Sequence, residues 1–333
     1  MINGIVIKNF RGVSEGKIDD FENLNIFVGK NNSGKSTLLD ALALLIDPRN
    51  ISTIVKRRGW FGLDSVLSIF RYRKAEKPIE IEGNGCSVKI EIINSKTENM
   101  DFLIKTKNFK QEMLSLKTSY HKKDAAAIDY ESYFDPDEKF HKFALTKGEI
   151  ETISIILDHN TIHGVGLKEA YSKVFEKGYE AHKELLNVIN RVYPDVIDIR
   201  LFSEQIGPEV IYQAGKVPIY AMGDGFKSAY ITLAFLSGME NGYILCEEPE
   251  NYQHPSSRDL VVKGICEAAK KNQIFISTHS LEFIDVLLSN AKNINVKFFS
   301  LELDQNSGKL SHYSFDSQSA IFRRKELEAD LRG

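Results

Sequence analysis

The chain has 333 residues, of which 42% are hydrophobic and 27% charged, and its formal net charge is −3. A chain of this length can bury a large core without disulfides, and its composition is ordinary for a soluble globular protein. The near-neutral charge provides no general basic field for nucleic acid. Three widely spaced cysteines without a C-x-x-C pair argue against disulfides and zinc and for a reducing compartment.

Neither a signal peptide nor a membrane helix is predicted. The N-terminus MINGIVIKNFRG lacks a basic segment followed by a long apolar run. No apolar stretch reaches the roughly 18 residues that a membrane helix needs. We therefore expect a cytoplasmic protein that does not enter a membrane.

The beginning of the chain predicts a strand, a glycine-rich loop and a helix. GIVIKNF (4–10) alternates like a strand, and LNIFVG (24–29) is an apolar run that ends in glycine. From Lys35 the segment KSTLLDALALLID is helical in character, and Pro48 marks its end. A strand, a glycine loop and a helix in this order are what a phosphate-binding loop requires.

The rest of the chain predicts a mixed middle and a parallel sheet near the end. In the middle we expect strands at 79–83, 87–93 and 101–106, an exposed polar stretch at 107–145, and helices at 147–158 and 168–192. Further on we expect strands at 196–202, 209–213, 243–248 and 273–278, and helices at 226–236, 256–269 and 281–289. Apolar strands that alternate with helices indicate a parallel sheet covered on both faces.

The strands of this parallel sheet are separated in the sequence. The first lies near residue 24 and the others follow residue 240. We therefore predict one domain, with a nucleotide-binding core of residues 1–50 and 196–333 and an inserted β and helical lobe of residues 51–195.

Residues 29–37 read GKNNSGKST and match the pattern G-x-x-x-x-G-K-[ST]. Glycines let such a loop curl so that its backbone N–H groups face phosphate oxygens, and the following helix presents its positive end. Lys35 would reach the β- and γ-phosphates, and Ser36 would offer a hydroxyl to Mg²⁺. The alternative is a polar surface turn. The predicted nucleotide-binding residues are Gly29, Lys30, Asn31, Asn32, Ser33, Gly34, Lys35, Ser36 and Thr37.

Two acidic residues end the apolar run in YILCEEPENYQHP (243–255). Ligands of open α/β sheets bind outside the carboxyl ends of the strands. We assign Glu247 to Mg²⁺ and Glu248 to the general base, the alternative being a solvated loop with two surface acids. His279 ends the neighbouring run QIFISTHS (273–280) and could bond a γ-phosphate or the attacking water, although a lone histidine is more often structural.

These motifs together resemble the ABC-type ATPase heads of the SMC, RecF and OLD (overcoming lysogenization defect) families, above all the OLD-like AAA ATPases of prokaryotic genome defence. The resemblance rests on segments 5–45, 223–230, 243–255 and 273–285, in the order and spacing of those families. It implies an α/β fold: a P-loop NTPase of the ABC head type, with a mixed or parallel central sheet, an antiparallel β lobe and a helical insertion. It also implies that ATP and Mg²⁺ bind.

The resemblance also assigns roles to individual residues. Lys35 and Ser36 take the Walker A roles, and Glu247 takes the Mg²⁺ position, where many relatives carry aspartate. Glu248 matches the catalytic glutamate and His279 the switch histidine. Residues 249–253 stand in the place of the D-loop, and Gln111 is the best candidate for a Q-loop glutamine.

GDGFKSAY (223–230) stands where related ATPases carry their signature sequence. By resemblance it contacts the ATP of the opposite subunit, so that two ATP molecules lie between two heads in a head-to-tail dimer. The alternative is a helix N-cap built on Asp224. The residues concerned are Gly223, Asp224, Gly225 and Lys227; Arg11 matches a basic residue that such heads place near the nucleotide.

The resemblance suggests partners as well. OLD nucleases continue into a TOPRIM domain, whereas this sequence ends at ADLRG, so we expect a separate nuclease, TOPRIM or effector subunit. DNA is a further candidate ligand of the basic clusters VKRRGW (55–60), RYRK (71–74) and FRRK (322–325), although such clusters are usually solvated surface. The alternative functions are the nucleotide-binding subunit of a membrane transporter and an ATP-dependent scaffold that sequesters a toxin or effector.

Overall fold

The computed structural model describes residues 1–60, 66–93, 114–123, 125–134, 140–144, 150, 153–158, 161, 166–291, 293–325, 327 and 330–331. The chain forms two compact units, each assembled from three stretches of sequence. The first unit contains residues 1–21, 31–152 and 301–312, and the second contains residues 22–30, 153–300 and 313–333. The predicted division into a core and an inserted lobe follows other boundaries and stays a prediction.

Strands and helices are numbered in chain order. The strands β1 to β16 are Gly4–Phe10, Val13–Asp19, Leu24–Val28, Ile79–Gly83, Cys86–Ile92, Leu114–Lys122, Ile128–Phe134, Phe140–Ala144, Ser154–Leu157, Asp198–Ser203, Gly207–Tyr212, Gly215–Pro218, Tyr243–Glu247, Gln273–Ser277, Val296–Leu303 and Lys309–Asp316. The helices α1 to α8 are Lys35–Ile46, Ile51–Arg57, Gly166–Phe175, Tyr179–Ile189, Asp224–Gly238, Pro255–Ala269, Leu281–Asn290 and Ser317–Lys325.

The first unit is built on a largely antiparallel sheet. β1 pairs with β2 on one side and with β4 on the other, and β5, β6, β7 and β8 follow outward from β4 in hairpin order. β16 adds to β2 in parallel. Alternate residues of β1, such as Ile5 and Ile7, are almost fully buried, because successive side chains of a strand face opposite sides of the sheet.

The prediction that residues 107–145 form an exposed stretch is wrong for three segments of that range. β6, β7 and β8 are antiparallel strands of the first unit. In β6, Leu116, Thr118 and Tyr120 are buried, while Lys117 and Ser119 between them are partly exposed. The polar residues therefore occupy the second face of a sheet. The strand predicted at 101–106 and the candidate Gln111 lie outside the described residues.

The second unit contains the predicted parallel sheet. Its order is β15-β3-β14-β13-β9, and every pairing in it is parallel. β3 and β14 are buried at every position, as expected for strands covered on both faces. β3 comes early in the sequence and lies between two strands from the end of the chain, so the carboxyl ends of these strands share one edge of the sheet.

Two predicted helices differ from the structure. In the segment predicted as a helix at 147–158, residues 154–157 form the edge strand β9, which pairs with β13; its residues SIIL include the β-branched pair that favours a strand. The helix predicted at 168–192 is divided into α3 and α4, because Gly178 adopts a left-handed φ of 95°. β10, β11 and β12 form a separate antiparallel sheet in this unit.

The predicted α/β fold class is confirmed, with a parallel sheet in one unit and an antiparallel sheet in the other. Helices α5, α6 and α7 contribute buried side chains to the core cluster of the second unit, together with β3, β13 and β14. Within the described part of the chain, no helix is both long and apolar enough to cross a membrane.

Candidate active site

The glycine-rich loop follows β3, and the boundary between the two units falls inside it, after Lys30. In the second unit, β3 ends at Val28 and Gly29 turns the chain with a φ of 146°. In the first unit, Asn31 and Asn32 are exposed, and Gln305 Nε2 donates a hydrogen bond to the Asn32 carbonyl oxygen at 3.1 Å.

The end of the loop has features that suit the binding of an anion. Gly34 is the N-cap of α1 with a φ of 96°, and no side chain caps this helix end or adds an acidic residue to its first turn. Lys35 is buried, and so is Ser33, whose Oγ has no hydrogen-bond partner. A buried hydroxyl without a partner and an uncapped helix N-terminus both fit a bound phosphate group.

Gly34 is also required by packing. A methyl group on it would lie 3.0 Å from Leu310 Cδ1, and its φ lies in the left-handed region. In the left-handed region, residues other than glycine are destabilised by roughly 1 kcal/mol or more. Ser36 and Thr37 lie in the first turn of α1, as the sequence predicts.

The acidic pair and His279 lie at the carboxyl ends of two adjacent strands of the second unit. β13 and β14 are parallel, and Glu247 is in register with Ser277. The N–H of Glu248 donates to the Ser277 carbonyl oxygen at 2.8 Å. Glu248 has a φ of 51°, a conformation that few residues other than glycine adopt and that clusters at functional sites.

Both carboxylate oxygens of Glu248 are engaged. Oε1 lies 3.0 Å from His279 Nδ1, and Oε2 accepts a hydrogen bond from Asn251 Nδ2 at 3.0 Å. The Glu248 side chain is 33% exposed and that of His279 51%. The structure therefore brings the predicted base and the predicted switch histidine together at a position that water and substrate can reach.

Glu250 is a buried acidic residue that the sequence analysis did not single out. Its side chain is only 7% exposed. Oε1 accepts hydrogen bonds from Thr278 Oγ1 at 2.6 Å and from the His279 N–H at 3.4 Å, whereas Oε2 is buried without a partner. Burial raises the pKa of Glu250, against the opposing effect of the Thr278 hydrogen bond. The acidic run EEPE (247–250) is the sequence feature from which Glu250 could have been predicted as a site residue.

A small cavity lies behind the acidic pair. It is lined by the ends of β9 and β13 and by α5, through side chains that include Asp158, Thr161, Ser228, Thr232, Glu247 and Glu248. Asp158 and Thr161 were also missed, because the segment around them was predicted to be helical. The Thr161 hydroxyl and N–H both lie 3.0 Å from Asp158 Oδ1.

The GDGFK segment forms the start of α5 in the second unit. Gly223 is its N-cap without a side-chain cap, so the alternative of an N-cap built on Asp224 is wrong. Asp224 instead pairs with Lys227 at 2.6 Å. A methyl group on Gly223 would meet no atom within 4 Å, whereas one on Gly225 would lie 2.8 Å from the Tyr252 carbonyl oxygen. Space around Gly223 leaves this helix end open to a ligand.

Arg11 belongs to a cluster around one buried carboxylate in the first unit. Asp40 is fully buried, and Arg11, Arg57 and Arg58 contact it at 2.5, 3.5 and 3.0 Å. The Arg11 guanidinium also lies 5.4 Å from the centre of the Trp60 ring. Asp40 is thus a carboxylate shared by three cations.

Other members of the predicted basic clusters have partners in the chain too. Arg71 donates to the Asn306 carbonyl oxygen at 3.0 Å, Arg323 stacks on Tyr313, and Arg324 pairs with Asp285 at 2.7 Å. These side chains contribute to packing as well as to surface charge.

The residues present fit a nucleotide with its metal. Ser33, Gly34 and Lys35 offer the polar groups that phosphate oxygens need. Ser36 of the first unit and Glu247 of the second, taken separately, each carry an oxygen donor of the type that Mg²⁺ prefers. Their roles stay predictions, as do those of Lys30, Asn31, Asn32 and the other residues assigned from the sequence.

The chain is similar to several known proteins. An "ATP/GTP phosphatase" of Helicobacter pylori is 25% identical to the chain and covers 97% of it and 100% of its own length. The DNA replication and repair protein RecF of Shewanella woodyi is 24% identical over 63% of this chain and 59% of that protein. An SMC head solved in complex with the C-winged helix domain of ScpA superposes with a TM-score of 0.54 at 15% identity, over 96% of this chain and 99% of that one.

Fold and motifs thus define a P-loop ATPase head of the ABC, SMC and RecF class, and the protein is an ATP-hydrolysing enzyme of that class. More narrowly, the chain belongs to the family described as "AAA domain, putative AbiEii toxin, Type IV TA system", which matches residues 24–285.

Proposed function

We propose that two copies of this ATPase close head to tail on ATP and thereby regulate or load a separate nuclease-type subunit that acts on DNA, in anti-phage defence of the OLD type or in DNA maintenance. The contact between Glu248 and His279 at 3.0 Å is the main support for hydrolysis at this site. The uncapped start of α5 at Gly223 supports contact with the second copy's nucleotide.

In this proposal the residues of one copy have separate roles in binding and hydrolysing ATP. Lys35 and the loop N–H groups bind the phosphates, and Glu248 orients water and accepts its proton. His279 contacts Glu248 Oε1 at 3.0 Å and would sense the terminal phosphate. Ser36 and Glu247 are the residues that the sequence assigns to Mg²⁺, which would offset the charge that develops on the phosphate oxygens.

The first test is the variant Glu248→Gln, which keeps the shape of the side chain and removes the base. We expect hydrolysis to fall by at least 100-fold, a typical contribution of a general base, while ATP still binds. Light scattering should then detect a dimer that forms only with ATP. Equal hydrolysis by wild type and variant would contradict the role of Glu248, and a monomer at saturating ATP would contradict the sandwich.

The partner is proposed from the relatives. RecF is named for DNA replication and repair, and the SMC head was solved with part of ScpA, which supports a protein partner and a role on DNA for this chain. Lys56, Arg73 and Lys74, which belong to the predicted basic clusters and are exposed, are candidates for contact with phosphate groups. Direct DNA binding should weaken steeply as salt rises; an affinity independent of salt would remove DNA as a ligand.

A second candidate is an ATP-dependent scaffold that controls a toxin. The family description, with its AbiEii toxin and type IV toxin–antitoxin system, favours it. Co-expression with the neighbouring genes separates the two: a nuclease that copurifies only with ATP supports the first proposal, and a growth-inhibiting protein neutralised by this chain supports the second.

A further inference from the structure

A hydrogen-bonded path leads from α5 to the carboxylate of Glu248. Ser228, one turn beyond Gly225, accepts a hydrogen bond from Gln253 Nε2 at 2.7 Å. The same hydroxyl donates to the Asn251 carbonyl oxygen at 3.4 Å. Asn251 Nδ2 in turn donates to Glu248 Oε2, so two hydrogen-bonding side chains separate the start of α5 from the predicted base.

The contact between α5 and residues 251–253 is buried and close. Ser228 is 4% exposed, and Gln253 Oε1 is buried without a partner. The backbone of Tyr252 lies so near Gly225 that a single methyl group there would collide with its carbonyl oxygen at 2.8 Å. Close packing of this kind transmits a small displacement instead of absorbing it.

The segment itself is held in a turn that begins at Glu248. The Asn251 N–H donates to the Glu248 carbonyl oxygen at 3.0 Å, and the Gln253 N–H donates to that of Glu250 at 3.1 Å. Backbone and side chain of Asn251 therefore both bond Glu248. A movement of residues 251–253 with α5 must change the direction of the Glu248 carboxylate.

We propose that Ser228 and Asn251 are positioning residues for ATP hydrolysis, through which the start of α5 sets the orientation of Glu248. The inference rests on the proposed function in one respect, that Gly223 to Lys227 contact the nucleotide of a second copy. Binding of that nucleotide at the N-terminus of α5 would then align the base of the same copy.

The test compares Ser228→Ala and Asn251→Ala with Ser237→Ala. Ser237 lies near the end of the same helix and is exposed, and its hydroxyl donates a hydrogen bond to the Ala234 carbonyl oxygen at 3.0 Å. We expect kcat to fall about tenfold or more in the first two variants, because a misaligned base loses most of its effect. ATP affinity and KM should equal those of Ser237→Ala, and both variants should remain folded at the assay temperature.

Two further measurements separate positioning from folding. The double variant Ser228→Ala/Asn251→Ala should be no slower than the slower single variant, because residues on one path are not additive. With Glu248→Gln added, Ser228→Ala should still dimerise on ATP. A kcat equal to that of Ser237→Ala, additive losses, or a loss of ATP-driven dimerisation in this variant would each overturn the proposal.

The proposed ATP-driven dimer can be contradicted independently of the positioning role of Ser228 and Asn251. If Glu248→Gln alone stays monomeric with ATP, the sandwich is wrong. A tenfold loss of kcat in Asn251→Ala at fixed protein concentration would then still support the orientation of Glu248 by Asn251, and an unchanged kcat would overturn it as well.

Discussion

At the scale of single residues, the site combines strained and buried groups with exposed reactive ones. Glu248 has a backbone φ in the left-handed region, and its side chain is partly exposed. Glu250, two positions later, is buried, and one of its carboxylate oxygens has no hydrogen-bond partner. The difference follows from the turn after β13, which directs the first side chain toward solvent and the second toward Thr278. Two identical side chains two positions apart thus lie in different environments.

The raised pKa of Glu250 predicts a pH dependence of stability. Its pKa lies above the ordinary 4.5 because burial disfavours the charged form, with Glu248 acting in the same direction and Thr278 and His279 in the opposite one. The folded state then binds more protons than the unfolded state above pH about 4.5, so this group lowers stability as pH rises toward its folded pKa.

Glu250→Gln removes that titration. We expect the free energy of unfolding of the variant, relative to wild type, to increase as pH rises from 4 to 8, measured by urea unfolding without nucleotide or metal. Glu267→Gln, at an exposed glutamate paired with Lys270, is the control. A difference between Glu250→Gln and wild type that does not change with pH would contradict the buried, proton-binding state of Glu250.

At the scale of elements, one carboxylate joins three parts of the first unit. Asp40 lies on α1, Arg11 follows β1, and Arg57 and Arg58 lie at the end of α2. All three guanidinium groups contact Asp40. Its replacement would remove from three partly buried cations the carboxylate that they share, which is more damaging than the loss of a surface pair.

Asp40→Ala is therefore expected to destabilise the protein by about 3–5 kcal/mol. The matched control is Asp259→Ala, which breaks a surface pair with Lys263 in which both side chains are about half exposed and should cost less than about 1 kcal/mol. Chemical denaturation measures both. Similar losses in the two variants would mean that the arginine cluster is solvated and contributes little.

At the scale of the whole molecule, the glycine-rich loop is the segment in which the chain passes from one compact unit to the other. In our proposal, Lys35 and the N–H groups of this loop bind the phosphates of the nucleotide. Nucleotide binding should stabilise the folded chain by mass action, because the unfolded chain offers no such loop.

With Mg²⁺ present, ATP at 100 times its Kd should stabilise the protein by about 2.7 kcal/mol, which thermal unfolding detects as a raised Tm. Lys35→Ala should abolish this shift. Lys263→Ala, a change at an exposed lysine, should keep it. A shift of equal size in Lys35→Ala would contradict the phosphate contact of Lys35.

The sequence by itself determined the parallel-sheet elements and the motif residues. Runs such as LNIFV and QIFIS are apolar at nearly every position, a pattern that only a strand buried on both faces explains. Phosphate binding can be predicted from the glycine loop and the helix that follows it, because such binding uses backbone groups of one continuous segment. Such signals are local and can be read without knowing the fold.

Tertiary structure decided what depends on distant neighbours. Residues 154–157 form a strand because β13 offers a parallel edge, and the polar strands after residue 113 form because hairpin partners bury one of their faces. The contacts of Glu248 with His279 and Asn251, and of Glu250 with Thr278, arise where the ends of two strands meet. Packing across the sheet fixes these positions, and local sequence cannot encode which residues a strand end will face.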